Sequence, residues 1–144
     1  MELHEEAAAR LASAGQRYTP TRRRLVEILA RAGTPLSLPD IVRRRRDLAQ
    51  SSAYRNLAEL ESAGLIRRIA SEDGSARYEL AEELTGHHHH LMCSRCGQVQ
   101  DLHIPAPLER RLDRTLDVLA REAAFATVRH RLGLIGLCRA CGST

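Results

Sequence analysis

The chain has 144 residues, which is enough to bury a core in one domain or in two small ones. A single Phe and the absence of Trp leave that core to Leu, Ile, Val and Ala, and small cores of this kind often need a metal ion or a second subunit. The chain contains no Lys; its net charge is +4, and twelve Arg stand against five acidic residues between Arg17 and Arg68. This segment is either a footprint for a polyanion or a solvated basic face.

No apolar run is long enough to cross a membrane, and residues 1–6 are acidic without the apolar core of a signal peptide. We therefore expect a cytoplasmic protein with no membrane partner. Reducing conditions in that compartment disfavour structural disulfides, so the four Cys require another explanation.

The first part of the chain predicts four short amphipathic helices, because apolar residues recur at helical spacing between start and stop signals. The predicted N-caps are Thr19, followed by Pro20, then Ser37, and then Ser51 or Ser52; the terminating glycines are Gly15, Gly33 and Gly64. Two short strands follow, residues 65–70 and 76–80, and the turn between them carries an Asp-Gly hairpin signal. Helices followed by a hairpin are the winged-helix layout, with residues 51–63 in the place of the recognition helix.

The second part has a different character. Residues 81–86 are typical of a linker, and strands are predicted for residues 87–92, 97–103 and 125–137. Residues 107–124 place Leu and Ala on one stripe and predict a helix.

The four Cys form two Cys-x-x-Cys pairs, and a Gly follows each pair. Two such knuckles supply the four thiolates of a tetrahedral structural zinc ion, Cys93, Cys96, Cys138 and Cys141. The long gap between the pairs means that the ion would tie the start of the second half to the end of the chain. The alternative is a pair of redox motifs, which lacks a thioredoxin-like pattern around it.

Five of the seven His lie within residues 87–103, and four of them are consecutive, His87 to His90. In an extended strand successive side chains point to opposite faces, so one run can supply two ligands to each of two metal sites. Further candidate ligands are Glu79, Asp101, His103, Glu109 and His130. The alternative is a solvated polar linker.

Three motifs resemble the ferric uptake regulator (Fur) family, which includes iron, zinc, manganese, nickel and peroxide sensors. RYTPTR at residues 17–22 is similar to the opening of its second helix, and SSAYRNL at residues 51–57 is similar to its recognition helix. HHHHLMCSRCG at residues 87–97 is similar to its histidine-rich strand and first knuckle.

The resemblance implies an α+β fold: a winged-helix DNA-binding domain over residues 1–82, a hinge over 83–86, and a metal-binding α/β dimerisation domain with structural zinc (Zn²⁺) over 87–144. It implies a homodimer that represses transcription by binding a palindromic double-stranded DNA operator when metal occupies a hinge site. The implied hinge ligands are Glu79, His88, His90 and Asp101, and the implied additional site comprises His87, His89, Glu109 and His130. The implied DNA contacts are Arg17, Thr19, Arg22, Ser51, Ser52, Tyr54, Arg55 and Asn56.

Three departures from the family pattern bear on the sensed metal. Thr34 precedes Pro35 where many members carry a His that binds the hinge metal, and the slightly long stretch before His88 leaves Glu82 or Glu83 as alternatives to Glu79. His89 stands where iron-type members carry Asp, yet the zinc-type hinge Cys is absent. The regulatory ion is therefore Fe²⁺ or Zn²⁺, with Mn²⁺ as a third candidate.

Two other functions compete with the metal-dependent repressor. A peroxide-sensing repressor of the same family would use ferrous iron, and Asp101 suits such chemistry because oxygen ligands with His favour iron over zinc. A zinc hydrolase would need an open coordination position, but the chain has no His-Glu-x-x-His and the basic half would have no role. We expect a regulator and not an enzyme.

Overall fold

The structure is a computed structural model that describes residues 2–126 and 129–142. The helices are α1 (Glu2–Ser13), α2 (Pro20–Ala32), α3 (Leu38–Arg44), α4 (Gln50–Ser62), α5 (Glu82–Thr85), α6 (Ala106–Glu122) and α7 (Arg139–Gly142). The strands are β1 (Leu36–Ser37), β2 (Ile66–Ala70), β3 (Ala76–Leu80), β4 (His89–Cys93), β5 (Val99–Leu102) and β6 (Gly133–Gly136).

The predicted helix caps in the first half are confirmed for α2 and α3. The Thr19 side chain accepts a hydrogen bond from the Arg22 amide, and Gly33 ends α2 with a φ of 64°. Ser37 and Asp40 form a capping box at α3, in which each side chain accepts from the other residue's backbone amide. These caps fix where the short helices begin and end, and so which apolar faces meet.

The predicted cap of α4 is wrong. The helix begins at Gln50, its N-cap is Ala49, and no side chain caps it. Ser51 and Ser52 therefore lie inside the first turn. The apolar face is placed as the sequence predicts, because Ala53, Leu57 and Leu60 are fully buried in the core.

The predicted hairpin of β2 and β3 is confirmed, with Arg67 opposite Glu79 and Ile69 opposite Arg77. The two-residue strand β1, which the sequence pattern does not predict, pairs antiparallel with the other edge of β3. Helices α1 to α4 pack with this sheet around one apolar core, as a winged-helix fold requires. Because β3 pairs with both β1 and β2, it is the central strand of this sheet. Glu79, near the end of β3, is only 7% exposed.

The second half differs from the sequence expectation in three places. The expected linker contains the short helix α5, and the first strand begins at His89 rather than His87. The late strand covers only Gly133–Gly136 of the expected 125–137, and residues 127 and 128 lie outside the described residues. β4 is the central strand of this sheet, antiparallel to β5 and parallel to β6.

Contacts outside the candidate ligand groups also join the two halves. The Thr34 hydroxyl donates to the Val99 carbonyl oxygen at 2.7 Å. The Asp73 carboxylate of the β2–β3 turn lies against Gly97 of the first knuckle, where a Cβ atom would collide with it. Gly97 has a φ of 79°, a backbone conformation that favours glycine at this position.

The second half exposes much of its apolar surface. Leu108, Leu116, Val118 and Leu119 of α6, and Leu134 and Ile135 of β6, are between 38% and 62% exposed. Within residues 2–126 and 129–142, no helix combines the length and the apolar character that crossing a membrane requires.

The capping box of α3 generates a stability prediction. Ser37→Ala removes the hydroxyl that accepts from the Asp40 amide and should lower the free energy of unfolding by about 1 kcal/mol. Thermal unfolding followed by circular dichroism should show a loss of several degrees. Ser62→Ala, at the exposed end of α4, removes no cap and serves as the control. Equal melting of the two variants would contradict the role of the box.

Candidate metal centres

The structure brings twelve potential ligands together in three clusters, and within each cluster the ligand atoms lie within 4.8 Å of one another. The thiol cluster is Cys93, Cys96, Cys138 and Cys141; the hinge cluster is Glu79, His88, His90 and Asp101; the lateral cluster is His87, His89, Glu109 and His130. The thiol set is the one that the two Cys-x-x-Cys pairs predict, and the other two are the sets that the family resemblance implies. The alternating faces of the histidine run produce the separation between the hinge and lateral clusters.

The thiol cluster forms where β4 and β6 end. Cys93 closes β4, Cys96 lies in the turn after it, and Cys138 precedes α7, which carries Cys141. The Sγ atoms of Cys96 and Cys138 are 3.8 Å apart. All four Cys are free thiols and not disulfides.

Backbone amides prepare this cluster for a cation. The amides of Cys96 and Cys138 donate to Cys93 Sγ at 3.5 and 3.4 Å. These hydrogen bonds lower the pKa of Cys93 to about 6. The neighbouring Cys138 thiol, burial and the other two thiols raise the pKa of Cys141 to about 12. The protein thus stabilises one thiolate by itself, and a bound divalent cation would be needed to hold the others as thiolates, which fits zinc.

The hinge cluster takes its ligands from both halves of the chain. Glu79 lies on β3, His90 on β4 and Asp101 on β5, where it pairs in register with His90. The Nε2 atoms of His88 and His90 lie 3.0 and 3.1 Å from Glu79 Oε2. The same two nitrogens are 3.6 and 3.9 Å from Asp101 Oδ1.

The hinge cluster has the negative charge and the unsatisfied buried oxygen atom that a bound cation would require. Burial alone would raise the pKa of Glu79, but hydrogen bonds from His90 and His88 and the charges of His90 and Arg67 lower it to about 2. Burial raises the pKa of Asp101. The charge of His88 partly opposes this rise, and the charge of Glu79 adds to it. Asp101 Oδ1 is buried and accepts no hydrogen bond. A bound cation would satisfy this buried carboxylate oxygen, which has no hydrogen-bond partner and lies near two imidazoles.

The lateral cluster centres on Glu109 of α6. Its Oε1 lies 2.8 Å from His87 Nε2 and 2.5 Å from His130 Nε2, and its Oε2 lies 2.9 Å from His89 Nε2. His89 is 1% exposed, and its Nδ1 has no hydrogen-bond partner.

Two carboxylates outside the predicted sets orient lateral-cluster histidines. Glu82 of α5 contacts His87 Nδ1, and Asp113 of α6 lies 3.0 Å from His130 Nδ1. A carboxylate on one ring nitrogen leaves the other to face the ligand, which is the usual arrangement around protein-bound metals. Asp113 could have been predicted from the sequence, because it lies one helical turn after the candidate ligand Glu109 and so on the same face of the predicted helix.

The structure shows where the residues lie at which the sequence departs from the family pattern around the hinge cluster. Glu79 occupies the hinge cluster, whereas Glu82 contacts the lateral cluster and Glu83 lies 3.6 Å from Arg129. His103 is exposed and outside the four-ligand set; its ring centroid is 5.9 Å from that of His88. A cavity of about 280 Å³ lies between the end of α2 and the cluster, and Thr34 and His103 are among its lining residues.

The residues with an expected DNA role divide into two groups. Tyr54 is 55% exposed and Arg55 is also exposed, both on α4. Arg22 instead donates to Asn56 Oδ1 at 3.0 Å and to the Arg17 carbonyl oxygen at 2.8 Å, and Asn56 donates to the Ser52 carbonyl oxygen. The second group therefore links α2 to α4 and holds the start of α4 in place, with Thr19 capping α2.

Comparisons with known proteins agree with this geometry. Residues 13–135 match the profile of the ferric uptake regulator family. The chain is 29% identical to the peroxide operon regulator of Bacillus subtilis (strain 168), over 98% of this chain and 96% of that protein. It is 35% identical to the ferric uptake regulation protein of Cupriavidus metallidurans, over 90% of each.

A solved structure shares the whole fold. The ferric uptake regulator Fur of Helicobacter pylori, for which three functional metal-binding sites are described, matches with a TM-score of 0.76 at 24% identity and covers 99% of this chain and 93% of that one. Since the profile match spans most of the chain and the sequence similarity extends over its full length, the chain belongs to the ferric uptake regulator family.

Proposed function

We propose that this chain is a metal-responsive transcriptional repressor, in which an ion in the hinge cluster favours the DNA-binding arrangement of a homodimer. The observation that carries the proposal is the composition of the hinge cluster. Glu79 belongs to the winged-helix half, and His88, His90 and Asp101 belong to the other half. An ion held by all four would tie the two halves together.

Metal responsiveness requires that the ion bind one arrangement better than another, because a ligand shifts an equilibrium only by its differential affinity. Moving the winged helix away from β4 would separate Glu79 from the other three ligands. The ion therefore favours the arrangement in which all four ligands converge. The thiol cluster would hold zinc permanently, since it lies entirely within the second half.

The regulatory ion is iron or zinc, with manganese as the third candidate. Two imidazole nitrogens with two carboxylates suit each of these ions, whereas four thiolates favour zinc. Peroxide sensing remains the second candidate function. It is supported by the likeness to the peroxide operon regulator of Bacillus subtilis and by the buried carboxylate Asp101 beside two imidazoles. Loss of DNA binding by the iron-loaded protein after peroxide, but not by the manganese-loaded protein, would identify it.

DNA binding is assigned to the exposed face of α4. Tyr54 and Arg55 lie on this face, away from the buried Leu57 and Leu60. An Arg guanidinium can donate two hydrogen bonds to guanine in the major groove. Homodimerisation is assigned to the exposed apolar residues of α6 and β6, which need a partner surface to leave water.

The hinge site predicts a difference between neighbouring histidines. His90→Ala removes a hinge ligand and should abolish metal-stimulated DNA binding, a loss of roughly tenfold or more in affinity, while zinc content and dimer remain. His89→Ala affects the lateral cluster and should give a graded loss or a weaker dimer. The measurement is anaerobic binding to duplexes selected from a random pool by the parent, titrated with Fe²⁺, Mn²⁺ and Zn²⁺.

Equal partial effects of the two variants would refute separate sites. Metal-independent DNA binding by the parent protein would refute the metal-responsive function itself.

The α4 surface predicts a DNA-contact variant. Arg55→Ala should cost roughly 1–3 kcal/mol of binding to the selected duplex and relax base preference at one position. Arg31→Ala, an exposed Arg at the end of α2, controls for the loss of one positive charge. If Arg55→Ala weakens binding no more than Arg31→Ala does, the base contact is rejected.

The thiol cluster predicts a zinc-dependent second half. Cys93→Ser should lose the zinc and unfold that half, because structural zinc contributes on the order of 10 kcal/mol to folding in small domains. Metal analysis and sedimentation would measure zinc content and dimerisation. Ser94→Ala, in the same knuckle, should retain both. A Cys93→Ser protein that keeps its zinc and dimerises like the parent would contradict the assignment.

A further inference from the structure

A positively charged side chain, Arg67, lies against the hinge cluster without being one of its four candidate ligands. Arg67 lies on β2 directly opposite Glu79 on β3. Its Nη2 is 2.5 Å from Glu79 Oε1 and its Nε is 3.1 Å from the same oxygen. The same Nη2 lies 3.5 Å from His90 Nε2.

This ion pair is shielded from water. The side chains of Arg67 and Glu79 are 18% and 9% exposed. Water therefore screens the charges at this place less than it does for a surface pair, and electrostatic interactions here are correspondingly strong.

Donors contact both oxygens of Glu79. Arg67 donates to Oε1, while the Nε2 atoms of His88 and His90 lie within hydrogen-bonding distance of Oε2. The guanidinium thus lies close to two of the groups that would bind the ion, the Glu79 carboxylate and the His90 imidazole.

We infer that Arg67 competes with the metal for the hinge site, and this inference rests on the proposed function. In the ion-free protein the guanidinium acts as the counter-ion of Glu79. A divalent ion in the cluster then brings two further positive charges close to the guanidinium, so binding must overcome that repulsion or move Arg67 away. Arg67 weakens ion binding and raises the metal concentration at which the protein responds.

The opposite role for Arg67 is a purely positioning one. In that case Arg67 would hold Glu79 in the orientation the ion needs, and its removal would weaken ion binding. The two roles predict opposite signs for one measurement. Competition is favoured because Nη2 approaches His90 Nε2 as well as Glu79, whereas a positioning residue would contact only the carboxylate.

The neighbouring residue provides a matched control. Arg68 lies on the opposite face of β2, its side chain is 54% exposed, and its Nε is 3.7 Å from Glu61. Removing Arg68 takes the same charge from the same strand without touching the hinge cluster.

The experiment uses the full zinc-loaded chain and compares four variants: Arg67→Met, Arg67→Gln, Arg67→Lys and Arg68→Met. Each variant also carries His89→Ala, which removes a ligand of the lateral cluster so that this cluster does not contribute to the measured binding. Calorimetric titration with Mn²⁺ and with Zn²⁺ measures binding at the hinge. Arg67→Met and Arg67→Gln should bind the ion roughly tenfold or more tightly than the His89→Ala protein does, because a like charge has been removed. Arg67→Lys and Arg68→Met should stay near the affinity of the His89→Ala protein.

Thermal unfolding provides a second readout. Without the ion, Arg67→Met should melt below the parent, since Glu79 has lost its counter-ion. Added Mn²⁺ should raise its melting temperature more than it raises that of the parent. Arg67→Gln retains a neutral donor to Glu79 and gives the affinity measurement if the Met variant does not fold.

Unchanged or weaker ion binding by Arg67→Met and Arg67→Gln overturns the inference. The proposed function fails separately, when the zinc-loaded His89→Ala protein binds no Mn²⁺ or Zn²⁺ at the hinge, or binds them as well after His90→Ala is added.

Discussion

The two-residue period of β4 is the constraint on which the three clusters depend. β4 lies between β5 and β6, so its backbone is fixed on both edges and its side chains can only alternate between two faces. One face carries His90 towards Glu79, and the other carries His89 towards Glu109. The strand ends at Cys93, which enters the thiol cluster. A shift of one residue in register would exchange the two faces and separate both histidine clusters from their carboxylates.

The second half needs these ligands because its apolar core is small. The buried apolar cluster is built from residues of the first half, from Ala7 to Leu80, whereas the described apolar side chains of α6 and β6 are substantially exposed. Hydrogen bonds and ion pairs among the clustered ligand residues connect the elements of this half, and bound metal ions would add coordinate bonds there. Domains of this size with little apolar burial commonly rely on metal or on a partner. A half built in this way would depend on its bound ions, as the proposed sensing function requires.

The sequence predicted features that depend on local signals. Caps, glycine stops, the hairpin and the alternation of the histidine run are all encoded within a few residues, and the structure confirms most of them. It did not predict Arg67 as a neighbour of Glu79, and it offered Glu82 only as an alternative hinge ligand and not as a partner of His87. Arg67 approaches Glu79 through the pairing of β2 with β3, and Glu82 approaches His87 because α5 forms where a linker was expected. Such neighbours follow from strand register and helix placement, which periodicity alone does not specify. The start of α4 was misplaced for a related reason: serines in a first turn resemble caps, but the backbone begins the helix at Gln50.

The stretch from Thr34 to Leu36 carries no histidine, and it joins the halves in another way. Thr34 donates directly to the Val99 carbonyl oxygen, so this position forms a hydrogen bond across the junction that needs no metal. Glu79 is then the one ligand of the hinge cluster that the winged-helix half contributes. Whatever the ion does to the relative arrangement of the halves must act through that carboxylate. Because Arg67 pairs with the same carboxylate, this one ion pair would affect both the strength of ion binding and the connection of the ion to the winged-helix half, under the function proposed above. With Glu79 as the single ligand from the winged-helix half, the coupling proposed above would depend on that residue and on its charge partner Arg67.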